Sequence, residues 1–205
     1  MEGLYIVPAV LFLNTFLTYQ LVSPFENYKK LKNAHKYELI NRITASLFQL
    51  FIVYNGLYMK TDYALKITSQ MTGYMIYELF YMPLYLTSPA MYIHHILYIL
   101  AFIAKDYSPK EDVEAFASIS YILESTAPLF TLVWCLEKFE YPKNLLSKSV
   151  QLVAVSYWTC IRIVLVPYIL YTKGTPIIYF FGAPFYLLQL YWFSLILKKM
   201  NRRDV

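Results

Sequence analysis

The chain has 205 residues, of which 59% are hydrophobic, 19% aromatic and only 15% charged. A soluble globular domain carries about 25% charged residues, so this sequence lacks the polar surface to coat one. The same figures exclude disordered, collagen-like and disulfide-rich chains. The class that remains is all-α: a polytopic transmembrane helical bundle or barrel. The net charge of +5 does not indicate nucleic acid, because the basic residues flank apolar runs and no base-stacking module accompanies them.

About 20 apolar residues cross a hydrocarbon core as a helix, and on that measure about seven spans are predicted. They cover 3–22, 39–58, 70–87, 91–104, 113–136, 150–171 and 175–197. The first lacks a basic leader and a small-residue cleavage pattern, so it reads as a retained helix rather than a signal peptide. The fourth is short, either a tilted helix supported by its neighbours or a partial span. Lysine and arginine then set the orientation. With the C-terminus in the cytosol, eleven fall on the cytosolic side: Lys29, Lys30, Lys32, Lys36, Lys138, Lys143, Lys148, Lys198, Lys199, Arg202 and Arg203. Five fall opposite: Lys60, Lys66, Lys105, Lys110 and Lys173. Cys135 and Cys160 lie in apolar stretches and read as reduced buried thiols. Tyrosines near span ends, among them Tyr54, Tyr58, Tyr168, Tyr171 and Tyr191, read as an interfacial aromatic belt.

The informative residues are the ionisable ones inside these spans. Each costs about 2.5–3.5 kcal/mol at a helix centre and is a functional-site hypothesis by default. Glu78 stands near the middle of the third span and Glu124 midway along the fifth. Arg162 lies roughly 18 Å into the sixth at 1.5 Å per residue. His94 and His95 sit near the cytosolic start of the fourth, and Asn41-Arg42 opens the second. The expected pairing is Glu124 with Arg162, from consecutive antiparallel spans. Glu78 is left either protonated or facing a wet cavity near His94 or His95.

Proline adds a pattern. Pro83, Pro128 and Pro167 follow Glu78, Glu124 and Arg162 by five, four and five residues. Each proline releases the carbonyl four residues before it, here those of Leu79, Glu124 and Ile163. Open backbone at membrane depth must be satisfied by protein or water, so a polar cavity near these points is expected. Adjacent histidines on a helix diverge by about 100°, so one can face the cavity while the other meets a neighbouring helix. With only three histidines, counting His35 in the first loop, no multi-histidine metal cluster is expected.

Several of these pieces occur together in an order that resembles the TLC domain family, the membrane domain of ceramide synthases and translocating-chain-associated membrane proteins. They are Asn41-Arg42 with Ser46, Gly73-Tyr74 leading to Tyr77-Glu78, His94-His95, Glu124-Ser125-Thr126-Ala127-Pro128-Leu129, Arg162, and Leu190-Tyr191-Trp192-Phe193 before a basic tail. The resemblance covers 38–200, leaving 1–37 as a first helix with a basic loop and 201–205 as a basic tail. It implies a helical bundle or barrel around a lipid-accessible cavity, in endoplasmic-reticulum or related membranes. The partners it implies are membrane lipids and an acyl-CoA or acyl lipid, the acyl-CoA as substrate, with no cofactor. By the same resemblance His94 and His95 would carry acyl transfer and Glu78 would orient an imidazole. Arg42, Tyr74, Glu124 and Arg162 would shape the ligand cavity. The longer ceramide-synthase signature is not reproduced at Tyr98 or Ala104-Lys105-Asp106, so the chain looks closer to the smaller TLC-domain proteins linked to membrane lipid composition. The alternative is a non-enzymatic lipid-binding regulator or membrane chaperone.

Overall fold

The computed structural model describes residues 2–58, 64–86, 88–104, 109–173 and 175–201. Lys60, Lys105, Asp106, Arg202 and Arg203 lie outside the described residues, as does the Tyr58 side chain. The described chain is all-helical, with no strand. Its helices are α1 (Glu2–Val22), a short α2 (Glu26–Lys29), α3 (Asn33–Tyr58), α4 (Ala64–Tyr81), α5 (Pro89–Ala104), α6 (Lys110–Glu124), α7 (Ala127–Lys138), α8 (Leu145–Thr159), α9 (Val166–Lys173) and α10 (Pro176–Asn201). A 3₁₀ turn, Met82–Leu84, follows α4, and a π-helical stretch, Cys160–Leu165, joins α8 to α9.

Prolines and caps place most of these boundaries. Pro83 ends α4 in the 3₁₀ turn, because proline cannot donate to the preceding turn. Glu78 therefore stands in the last turn of α4 rather than mid-helix. Pro89 and Pro176 open α5 and α10 at a position where the missing N–H costs nothing. Asn144 caps α8, its side chain accepting from the Ser147 N–H at 3.0 Å. Pro128 stands in the first turn of α7, just after the chain breaks at Ser125-Thr126. His35 lies on α3 and not in a loop. Asn41 and Arg42 are more than two turns inside that helix, which begins well before the predicted start.

Three helical stretches are long and apolar enough to cross a membrane: Lys110–Lys138, Leu145–Thr172 and Ile178–Met200. Ile6–Val22 and Pro89–Ala104 are apolar but shorter. α3 and α4 are long, yet they carry Asn41, Gln49, Thr68, Thr72 and Glu78, which lower their hydropathy. Those residues are buried inside the protein. α4 is central, packed against α1, α5 and α6. Its Ile67, Met71, Tyr74, Met75 and Tyr77 form one core with Leu11, Phe48, Ile52 and Phe185.

Polarity is inverted relative to a water-soluble protein. Glu78, His95, Glu124, Arg162 and Gln189 are buried, while Leu13, Phe16, Leu50, Leu57, Leu152, Phe180 and Leu187 face outward. An apolar exterior this extensive does not belong in water. Tyr54, Tyr168, Tyr171 and Tyr191 are also exposed. Neither cysteine is buried as expected: Cys135 is half-buried and Cys160 is exposed. Cys160 opens the π-helical stretch, whose inward position is taken by the larger Arg162.

The closest approach of α3 to α6 depends on Gly56. A Cβ there would stand 2.5 Å from Cγ of the Tyr121 ring, whereas at Gly182 it would meet the flexible Cδ2 of Leu170 at 2.7 Å. Small residues let helices approach in this way. Gly56→Ala is expected to destabilise by about 1–3 kcal/mol, the usual cost of overpacking, and Gly182→Ala by less. Thermal unfolding in detergent checks the order; equal losses would remove the argument for tight α3–α6 packing.

Candidate functional site

Three buried polar groups connect the helices. In the first, Asn41 on α3 donates from Nδ2 to Glu78 Oε1 at 2.6 Å and to the Tyr85 hydroxyl at 2.8 Å. The other carboxylate oxygen of Glu78 lies 3.2 Å from His95 Nε2. On its far side, His95 Nδ1 is 2.7 Å from the Met91 carbonyl. A carbonyl only accepts, so Nδ1 carries a proton. The partner missing for Glu78 in the sequence is therefore an imidazole from the next helix.

In the second group, Gln49 Nε2 donates to Glu124 Oε2 at 2.8 Å and to the Tyr74 hydroxyl at 3.2 Å. Tyr74 also stacks on Phe48, with centroids 4.9 Å apart. In the third, Arg162 donates from Nε to Thr126 Oγ1 at 3.0 Å, from Nη1 to Gln189 Oε1 at 3.0 Å and from Nη2 to the Leu123 carbonyl at 2.9 Å. Its guanidinium carbon sits 5.8 Å from the centroid of Trp158.

The expected Glu124–Arg162 ion pair is not formed. The guanidinium fork is filled by neutral acceptors, two of them supplied by the break between α6 and α7, and Glu124 takes its donor from Gln49 instead. Pro167 does release the Ile163 carbonyl, which the Tyr186 hydroxyl approaches at 3.5 Å. The π-helical turn around Arg162 immediately precedes that proline, where a widened turn relieves the clash of its ring with the carbonyl before it.

His94 is held differently from His95. Its ring meets His95, Phe185 and Trp192 edge to face at 5.3, 5.2 and 5.5 Å. Its buried Nδ1 has no hydrogen-bond partner among the described residues. It borders a cavity of about 40 Å³ together with Glu124, the hydroxyl pair Tyr98–Ser120, Tyr186 and Gln189. That volume has room for a water molecule, its walls are mostly apolar, and it is far below the roughly 300–1,000 Å³ of a ligand pocket. Of the candidate residues, His94 and Glu124 line it. Glu78, His95, Tyr74 and Arg162 lie behind the lining, and Arg42 is elsewhere. Arg42 is half-buried, donating from Nε and Nη2 to Glu38 Oε1 at 3.0 and 2.8 Å and lying 5.3 Å from the Trp134 ring. It faces a separate cleft.

Comparison with protein-family models, curated proteins and solved structures finds no match. The chemistry of the site rests on its own geometry. Among the described residues, no group of three His, Cys, Asp or Glu is placed to hold a metal ion. What converges is a fixed imidazole–carboxylate–amide row and, beside it, a second imidazole with an unused ring nitrogen. Such a nitrogen can exchange a proton with a bound molecule.

Gln49 and Gln189 were not among the expected site residues because they carry no charge. An amide in an apolar run was the available signal, since it too must find partners at depth. Gln49→Glu sets a second carboxylate against Glu124 and is expected to destabilise more than Gln49→Leu. Arg162→Met removes three interhelical bonds worth on average ~0.6 kcal/mol each in membrane proteins, so a loss of about 2 kcal/mol is expected. Unfolding titrations in mixed micelles measure both. Equal stability of the two Gln49 variants would show that Glu124 is not facing that amide.

Proposed function

We propose that the chain is a multi-pass membrane protein of the TLC-domain type that accommodates a lipid acyl chain beside His94 and so influences membrane lipid composition. It has about seven spans, the N-terminus outside and the C-terminus in the cytosol, in endoplasmic-reticulum or related membranes. The inverted polarity, the three long apolar helices and the lysine asymmetry support the membrane part. The functional part is carried by one observation: His94 keeps a buried Nδ1 with no hydrogen-bond partner among the described residues, on a small and mostly apolar cavity, while His95 next to it is fully engaged.

The reaction class is acyl transfer. An amine or hydroxyl of the acceptor attacks the carbonyl of an acyl thioester, and a His94 ring nitrogen takes the proton released. The C–S bond breaks, and the leaving thiolate takes that proton back, so the imidazole is regenerated with no change of oxidation state. His95 and Glu78 act as positioning residues that hold α5 against α4. The acyl chain needs more room than the resting cavity offers, so α10 must draw away from α5. α10 is suited to this because only 11% of its apolar window is buried, against 22% for the other two long spans.

The second reading is a lipid-binding regulator or membrane chaperone without turnover. Incubating purified protein with labelled acyl-CoA and amine or lysolipid acceptors separates the two. Product is expected from the wild type and none from the His94→Ala, His95→Ala double variant. Product surviving in that variant eliminates the histidine mechanism. Copurified lipid that never turns over, in wild type and variant alike, selects the second reading.

A further inference from the structure

A second, larger cavity lies away from the histidines. It is a cleft of about 600 Å³ between α7, α8 and the end of α10, with Arg42 at one side. Its rim carries four cations, Arg42, Lys143, Lys148 and Lys199, against one carboxylate, Glu137. Its walls are apolar, built from Trp134, Leu152, Val155 and Ile196 among others. Two of the cations are committed. Arg42 is bound to Glu38, and Lys199 Nζ reaches Glu137 Oε2 at 2.8 Å, tying α10 to α7 across the cleft. Lys143 and Lys148 are exposed and have no carboxylate partner among the described residues. They flank the N-terminus of α8, whose free N–H groups add positive potential.

We propose that this cleft binds an anionic phospholipid, its phosphate between Lys143 and Lys148 and one acyl chain along Leu152, Val155 and Ile196. The volume falls within the range of small-molecule sites. Charge complementarity selects a phosphate. The walls select one that carries a chain, because the floor runs outward over Leu152, which is 62% exposed on the apolar exterior. The lysines of the rim are also those assigned to the cytosolic side, where anionic lipids concentrate and basic pockets between helices recognise their headgroups. The site rests on the membrane reading of the chain and is independent of the histidine chemistry.

The test is native mass spectrometry of the full chain in detergent, titrated with dioleoyl phosphatidic acid or dioleoyl phosphatidylcholine. The wild type is expected to retain the anionic lipid about tenfold better. Lys143→Gln with Lys148→Gln should bring the two lipids to near parity, and Lys143→Arg with Lys148→Arg should keep the preference. Millimolar inorganic phosphate should not displace the lipid. Equal retention by the wild type overturns the proposal, and this comparison decides it should the glutamine variant fail to fold. Displacement by phosphate alone overturns the lipid assignment in favour of a soluble phosphate, and an unchanged preference in the glutamine variant places the lipid elsewhere.

Discussion

Every ionisable group inside this bundle must find a partner without water, and the interior is arranged around that requirement. Glu78, Glu124 and Arg162 are each met by a neutral amide: Asn41, Gln49 and Gln189. An amide supplies a donor or an acceptor without bringing a second charge out of water, which costs several kcal/mol even after relaxation. Each contact also crosses between helices. Asn41 and His95 join α3 and α5 to α4 through Glu78, Gln49 joins α3 to α6 and α4, and Arg162 joins the π-helical turn to α6 and α10. The polar groups therefore fix helix register where the apolar contacts, being non-directional, leave it free.

That arrangement explains why the sequence was legible in some places and opaque in others. The helical class followed from composition, and the buried positions of Glu78, Glu124 and Arg162 followed from their cost in an apolar setting. Pro167 even pointed to the carbonyl that Tyr186 approaches. The pairing did not follow. Opposite charge suggested Glu124 with Arg162, but the kink before Pro128 turns the Leu123 carbonyl and Thr126 hydroxyl toward the guanidinium. Three neutral acceptors fill its fork, and no composition rule anticipates local backbone geometry. α3 and α4 show the converse limit. Their polar residues lower their hydropathy although they face protein, so a helix at the centre of the bundle looks less apolar than one at its edge.

The histidine dipeptide shows how one helical step separates two roles. A rotation of about 100° takes His95 into α4, where a carbonyl and a carboxylate occupy both nitrogens. The same step takes His94 toward α10, where aromatic edges hold the ring without satisfying Nδ1. Aromatic contacts restrict the plane of an imidazole at little electrostatic cost. They leave its proton chemistry available, which a hydrogen bond would not.

α10 is common to both regions of interest. Its middle, through Phe185, Gln189 and Trp192, closes the side of the small cavity nearest His94. Its end, through Ile196 and Lys199, walls the basic cleft. Toward α7 it is fastened by the Lys199–Glu137 ion pair, whose lysine is 58% exposed, and exposed pairs contribute only about 0–1 kcal/mol. The firmer attachment is the Arg162–Gln189 bond with the stacking of Trp158 on Phe193 at 6.2 Å. α10 is therefore held more firmly at its middle than at its end.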